Sequence, residues 1–121
     1  MRRLASVVAL ALALAGCGGS RGSATLKVTR DHGRNVLLKA QVPAGLTAMQ
    51  ALQRKADVKT SYGGRFVVSI NGVASARQRD WFYFVNGKLG DRSAAEVRLQ
   101  DGDVEWWDYR RWSNPAEKQA P

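Results

Sequence analysis

The sequence predicts an α+β domain in which one helix packs on a mixed sheet of about five strands. Three observations carry that expectation. Apolar and polar residues alternate through 25–29 and 36–42, a capped amphipathic segment starts at Thr47, and three later strand-like segments are divided by Asn-Gly and Asp-Gly turns. The elements follow one another without a long structureless insertion, as a single small domain requires.

Leu26 and Val28 alternate with Thr25, Lys27 and Thr29, which is the period of a half-buried strand. Val36, Leu38, Ala40 and Val42 repeat the pattern, and the cluster Asp31, His32, Gly33, Arg34 and Asn35 between them predicts a hairpin turn. Pro43, Ala44 and Gly45 end the second strand. Thr47 followed by Gln50 is a capping box, and Met49, Leu52 and Ala56 share one face of the helix that it opens. Residues 57–64 show no clear period and are read as a loop. Phe66, Val68 and Ile70 mark a third strand ending at the turn residues Asn71 and Gly72. Residues 81–85 form a fourth, ending at Asn86 and Gly87. Val97 and Leu99 mark a short strand. Asp101, Gly102 and Asp103 turn the chain into a last strand over 104–112. One helix across a mixed sheet with this element order is a β-grasp-like plan.

The ends of the chain read differently. Arg2 and Arg3 precede an uncharged run of Leu, Ala, Val and one Ser over 4–15, too short for a membrane-spanning helix of about 20 residues and right for the apolar part of a secretory signal. The run ends in Leu14, Ala15, Gly16 and Cys17, which resembles a bacterial lipobox. Residues 1–16 are therefore expected to be a lipoprotein signal peptide. Residues 17–24 form a lipidated Cys17 with a Gly/Ser tether, 25–112 the folded domain and 113–121 a disordered tail. Cys17 is the one cysteine, so the chain can form no internal disulfide. The full chain carries 19 Lys+Arg against 10 Asp+Glu, a net charge of +9. Loss of Arg2 and Arg3 with the signal lowers this to +7. The expected location is the cell envelope, lipid-anchored and extracytoplasmic, on the periplasmic face of the outer membrane if the host is Gram-negative. The positive charge then reads as a solvated surface or as attraction to anionic headgroups, and nucleic acid is excluded as a partner because the signal removes the chain from the cytoplasm.

Four blocks resemble a bacterial lipoprotein family of unknown function related to the C-terminal domain of transcobalamin, a vitamin B12 carrier. They run in order as GLTAMQAL over 45–52, YGGRFVVSINGV over 62–73, WFYFVNG over 81–87 and DGDVEWWDYR over 101–110. The resemblance spans about 26–112. It implies a β-grasp-like domain and, through transcobalamin, a corrinoid such as cobalamin as a ligand class; the residues themselves fix no cofactor.

All ten aromatic residues lie between Tyr62 and Trp112. Alternation puts Trp81, Tyr83 and Val85 on one face of their strand and Phe82 and Phe84 on the other. It likewise puts Trp107 and Tyr109 opposite Trp106, Asp108, Arg110 and Trp112. Both faces are aromatic, so one aromatic face is expected to stay partly exposed as a platform bordered by Arg110 and Arg111, with core filling as the competing reading. The binding candidates are Trp81, Tyr83, Asn86, Trp106, Trp107, Tyr109, Arg110 and Trp112. Asn71, Gly72, Gly87, Asp101, Gly102 and Asp103 are turn residues. His32 reads as an exposed turn residue rather than a metal ligand, and Asp101 and Asp103 as turn chemistry rather than a cation site. No nucleophile with a base, phosphate loop or zinc cluster is present in the sequence. The expected function is a non-catalytic binding module that holds a small ligand on its aromatic sheet face. The alternative is an envelope adaptor docking a protein, peptide or glycan.

Overall fold

The computed structural model describes residues 22–112. The expected signal 1–16, Cys17, most of the 17–24 tether and the 113–121 tail lie outside the described residues. The folded unit begins slightly earlier than the sequence boundary at 25. β1 (Ser23–Arg30) already includes Ser23, and Ala24 is part of the core.

β1 turns into β2 (Asn35–Pro43), and the two pair antiparallel from Ser23 with Pro43 to Arg30 with Asn35. Asp31, His32 and Gly33 between them all take positive φ, so the turn relies on a run of left-handed residues. α1 (Ala48–Lys55) starts with the expected capping box. Gln50 N–H donates to the Thr47 hydroxyl and Thr47 N–H donates to the Gln50 side chain. Ala48, Met49, Ala51 and Leu52 are its buried residues.

The segment 57–64 is not simply a loop. It contains β3 (Val58–Ser61), which pairs antiparallel with β4 (Phe66–Ile70); β5 (Val73–Ala74) follows across the Asn71-Gly72 turn. β6 (Arg79–Val85) runs through the Asn86-Gly87 turn into β7 (Lys88–Leu89), and a 3-10 turn (Ala94–Glu96) leads towards β8 (Val104–Arg111). The short strand expected at Val97 and Leu99 is a single bridge: Arg98 pairs with Thr47, and the backbone around it bonds to 45–48.

The main sheet has the order β2-β1-β8-β6-β7, parallel only between β1 and β8, and β3-β4-β5 form a second, smaller sheet. This is the α+β, β-grasp-like arrangement with a five-stranded mixed sheet. The core collects Leu26 and Val28 of β1, Met49 and Leu52 of α1, Ile70 of β4, and Trp81, Trp107 and Tyr109 of the main sheet. Two aromatic side chains tie the sheets together through consecutive carbonyls: the Trp81 indole N–H donates to Val73 O at 2.8 Å and the Tyr109 hydroxyl to Ala74 O at 2.7 Å. Among the described residues no helix is long and apolar enough to cross a membrane.

Candidate functional site

Register settles which side chains share a face. Across β6 and β8, Trp81 lies opposite Tyr109 and Tyr83 opposite Trp107, while Phe82 lies opposite Asp108 and Phe84 opposite Trp106. The Trp81/Tyr83/Trp107/Tyr109 face is the one covered by the helix and the second sheet. The structure replaces the open aromatic platform with a covered face: Trp81, Trp107 and Tyr109 are buried, because the small sheet, whose β3 strand falls in the segment read as loop, packs over them. Together with Tyr83 their rings form one stacked and one tilted pair. Tyr83 stacks on Trp107 with centroids 5.0 Å apart, and Trp81 tilts against Tyr109 at 5.1 Å.

A gap remains between the two sheets. β4 approaches β6 but belongs to the other sheet and does not pair with it. The result is a cleft of about 980 Å³ with three walls. One is the β3–β4 hairpin, with Tyr62, Arg65 and Phe66. The second is the edge of β6, residues 80–83. The third is the strip 89–94 with Glu96; Trp107 also lines the cleft. Tyr62 is 79% exposed and Phe66 53%, and their rings meet edge to face at 5.6 Å on the rim. Tyr62, Gly63 and Gly64 all hold positive φ, a conformation that two glycines accept freely and Tyr62 accepts at some cost.

The walls are latched to each other. Ser93 Oγ donates to Arg65 O at 2.5 Å, and Arg65 pairs with Glu96 at 2.9 Å. The Tyr83 hydroxyl donates to Arg92 O. Gly90 has no side chain because the Tyr83 ring occupies its place: a Cβ there would lie 2.1 Å from Tyr83 Cζ. The polar handles of the three aromatics are thus engaged by protein, with the Trp107 indole N–H donating to Glu105 at 2.5 Å. What Trp81, Tyr83 and Trp107 present to the cleft is chiefly ring surface. Burial, aided by the charges of Asp91 and Glu105, pushes the Tyr83 hydroxyl up to about 12, so it remains a donor at neutral pH.

Three of the eight binding candidates, Trp81, Tyr83 and Trp107, line this cleft. Tyr109 sits behind them in the core. Asn86 lies at the other end of β6, where its side chain receives Val104 N–H and donates to Asp103, so it acts as a turn brace. Trp106 and Arg110 belong to the opposite sheet face. The Trp106 indole N–H donates to Thr29 Oγ1 at 2.9 Å beneath the Lys27 ammonium, and Arg110 is fully buried against Asp108 with its guanidinium 5.1 Å from the Phe84 ring. Phe84 is itself fully buried, so β6 is covered on both sides at this point, contrary to the expectation of one exposed face. Trp112 follows β8 and is exposed. Of the expected turn residues, Asn71, Gly72, Gly87 and Gly102 have positive φ, Asp101 accepts Ser23 N–H, and Asp103 accepts Gln100 N–H. His32 is an exposed turn residue.

The residues missed from sequence are those on the two flanking walls. Phe66 was visible as a strand residue, and the Tyr62-Gly63-Gly64 run was a turn signal, but only the small sheet brings them to β6. Among the described residues no three His, Cys, Asp or Glu side chains converge as a metal-holding group.

The sequence pattern of the family described as "Domain of unknown function (DUF4430)" matches residues 45–111. No curated protein matches the chain. Among solved structures, a candidate metal-binding protein from Ruminococcus gnavus ATCC 29149 superposes with a TM-score of 0.58 at 17% identity, over 76% of this chain and 99% of that one. Haptocorrin in complex with Cbi (cobinamide) superposes with a TM-score of 0.61 at 10% identity over 76% of this chain. This chain spans about a quarter of haptocorrin, 25% of its length. At these identities the likeness is one of fold.

Proposed function

The chain belongs to the DUF4430 family, and from that premise we propose that it is a binding module without catalysis, holding a small, ring-bearing ligand in the cleft between its two sheets. The observation that carries this reading is the cleft itself. Its volume is about 980 Å³, aromatic rings line its base, and an exposed Tyr62–Phe66 pair stands at its rim. Concave, mostly apolar sites of roughly 300–1,000 Å³ with a few polar groups are the usual form of small-molecule sites.

A corrinoid is the ligand class that haptocorrin contributes to this proposal, since it shares the fold and was solved with cobinamide. Metal binding, contributed by the protein from R. gnavus, finds less support, because among the described residues no three His, Cys, Asp or Glu side chains converge, in the cleft or elsewhere. The Cys17 lipid anchor and the extracytoplasmic location complete the proposal. They rest on the order of basic residues, apolar run and lipobox at the start of the chain.

The test is a titration of the purified chain with cobinamide, followed by calorimetry. Saturable binding is expected, weakened about tenfold or more by Phe66→Ala, because an aromatic at a site rim contributes on the order of 1–2 kcal/mol. Trp112→Ala, away from the cleft, is expected to bind as the parent does. Absence of binding overturns the corrinoid assignment. Binding that depends on Trp112 and not on Phe66 overturns the cleft. The envelope-adaptor alternative would be favoured by a protein partner whose binding is lost on changing exposed Trp112 while the cleft variants retain it.

A further inference from the structure

The outer edge of β6 is closed at both ends and open between them. In antiparallel pairing the residues of a strand alternate between those that bond to the partner and those that point away. Asn86 N–H donates to Val104 O and Trp112 N–H donates to Gln78 O, both across the β6–β8 pair. The register between them is uninterrupted, so Asp80, Phe82 and Phe84 bond to β8, and Arg79, Trp81, Tyr83 and Val85 direct their backbone groups outward.

Most of the outward groups have partners. Arg79 exchanges two hydrogen bonds with Ala76, and Val85 pairs with Lys88 of β7. Tyr83 O accepts Gly90 N–H at 2.9 Å, after which the chain turns away through Asp91. Trp81 N–H is taken by the Asp80 carboxylate at 2.7 Å, held in place by the Ser75 hydroxyl. Two groups are left. Among the described residues neither Trp81 C=O nor Tyr83 N–H has a hydrogen-bond partner, and both residues line the cleft.

An acceptor on one residue and a donor two residues later, on the same edge, is the pattern that a parallel strand satisfies with one residue. We infer that the cleft holds its ligand by a single aminoacyl-type amide unit laid parallel to β6. The ligand's N–H donates to Trp81 C=O, and its C=O accepts from Tyr83 N–H. The unit lies opposite Phe82, so its side group stands on that ring's side of the sheet, away from the Trp81 and Tyr83 rings, and its two flanking ends lie beside Trp81 and Tyr83. The closed ends exclude a long added strand: a peptide continuing in either direction meets Ala76 or Gly90 where its next ladder bonds would form. The occupant is thus a small molecule with one such amide unit and an apolar group. This deepens the proposed function and rests on the cleft being the binding site.

The test uses the full chain labelled with ¹⁵N and two probes, N-acetyl-L-phenylalanine N-methylamide and its analogue with the acetylated nitrogen replaced by oxygen. The amide probe is expected to move the Tyr83 backbone amide resonance and slow its hydrogen exchange. The oxygen analogue, lacking the donor to Trp81 C=O, is expected to bind about five- to tenfold more weakly, the usual worth of one hydrogen bond. Equal binding of the two probes overturns the inference, as does a hexapeptide with the same central residue binding tenfold more tightly than the single unit. Shifts in other cleft residues with Tyr83 N–H unmoved overturn the edge contact but leave the cleft standing. If neither these probes nor cobinamide moves any cleft resonance, the cleft reading fails with it.

Discussion

The Trp107 indole N–H donates to the Glu105 carboxylate at 2.5 Å, and Glu105 is wholly enclosed by the core. Its second oxygen, Oε1, is buried without a hydrogen-bond partner in the structure. A carboxylate with one bond and no cation is poorly compensated. Burial raises the Glu105 carboxyl from its ordinary 4.5 to about 8, only partly offset by the bond from Trp107.

This gives a pH dependence with a definite sign. Between about 4.5 and 8 the folded chain keeps a proton on Glu105 that the unfolded chain has released. The associated stability is fully present below the unfolded value and is lost as pH rises through about 8, at up to about 1.4 kcal/mol per pH unit. Glu105→Gln can still accept from Trp107 and is expected to be the more stable protein at pH 8. Urea titrations of both at pH 5, 6.5 and 8 check this; parallel stability curves would contradict it.

Gly90→Ala should be costly for a reason confined to one ring. The new methyl would fall 2.1 Å from Tyr83 Cζ and 2.6 Å from its hydroxyl oxygen. Overpacking of this kind costs about 1–3 kcal/mol. In a Tyr83→Val background, where the ring is gone, the same change should cost little. A thermal-melt double-mutant cycle with no coupling between the two sites would refute the contact.

Trp81→Phe removes the indole bond to Val73 O that holds β5 to the main sheet. The expected loss is about 1–2 kcal/mol, with faster amide exchange in β4 and β5 and little change in β1 and β8. Uniform acceleration across both sheets would show that the bond does not act locally.

Asp108 gathers four donors: Thr29 Oγ1, the backbone N–H groups of His32 and Gly33, and Arg110 Nε at 2.8 Å. It therefore fixes the left-handed β1–β2 turn to β8. Asp108→Ala is expected to destabilise by about 3–5 kcal/mol, as removal of one member of a buried ion pair does. A change below about 1 kcal/mol in denaturant unfolding would show the pair to be dispensable.

Much of this architecture was legible in the residues. Thr47 and Gln50 announced the helix start, and alternation placed Trp107 and Tyr109 opposite Trp106. The Asp108–Arg110 pair was visible as a same-face spacing, but its complete burial was not. β3 was missed because Val58, Lys59, Thr60 and Ser61 include a single large apolar residue, and their pairing with β4 contains a register shift between Lys59 and Thr60. Its strand character comes from a partner rather than from its own period. That omission also hid the site. Without the second sheet, Trp81 and Trp107 looked like an open platform; with it they become the lining of a cleft, and Tyr62, Phe66 and Gly90 become its rim and wall. Trp106 and Arg110 were drawn into the candidate site by composition, whereas the register sends them to the other face.

The four indole N–H resonances report on whether a ligand enters the cleft between the two sheets. Trp81 and Trp107 line the cleft; Trp106 lies on the opposite sheet face and Trp112 beyond β8. On titration of the ¹⁵N-labelled chain with cobinamide, saturable shifts of the Trp81 and Trp107 indole signals are expected while those of Trp106 and Trp112 stay in place. Saturable movement of Trp106 or Trp112 with Trp81 and Trp107 unmoved would contradict it.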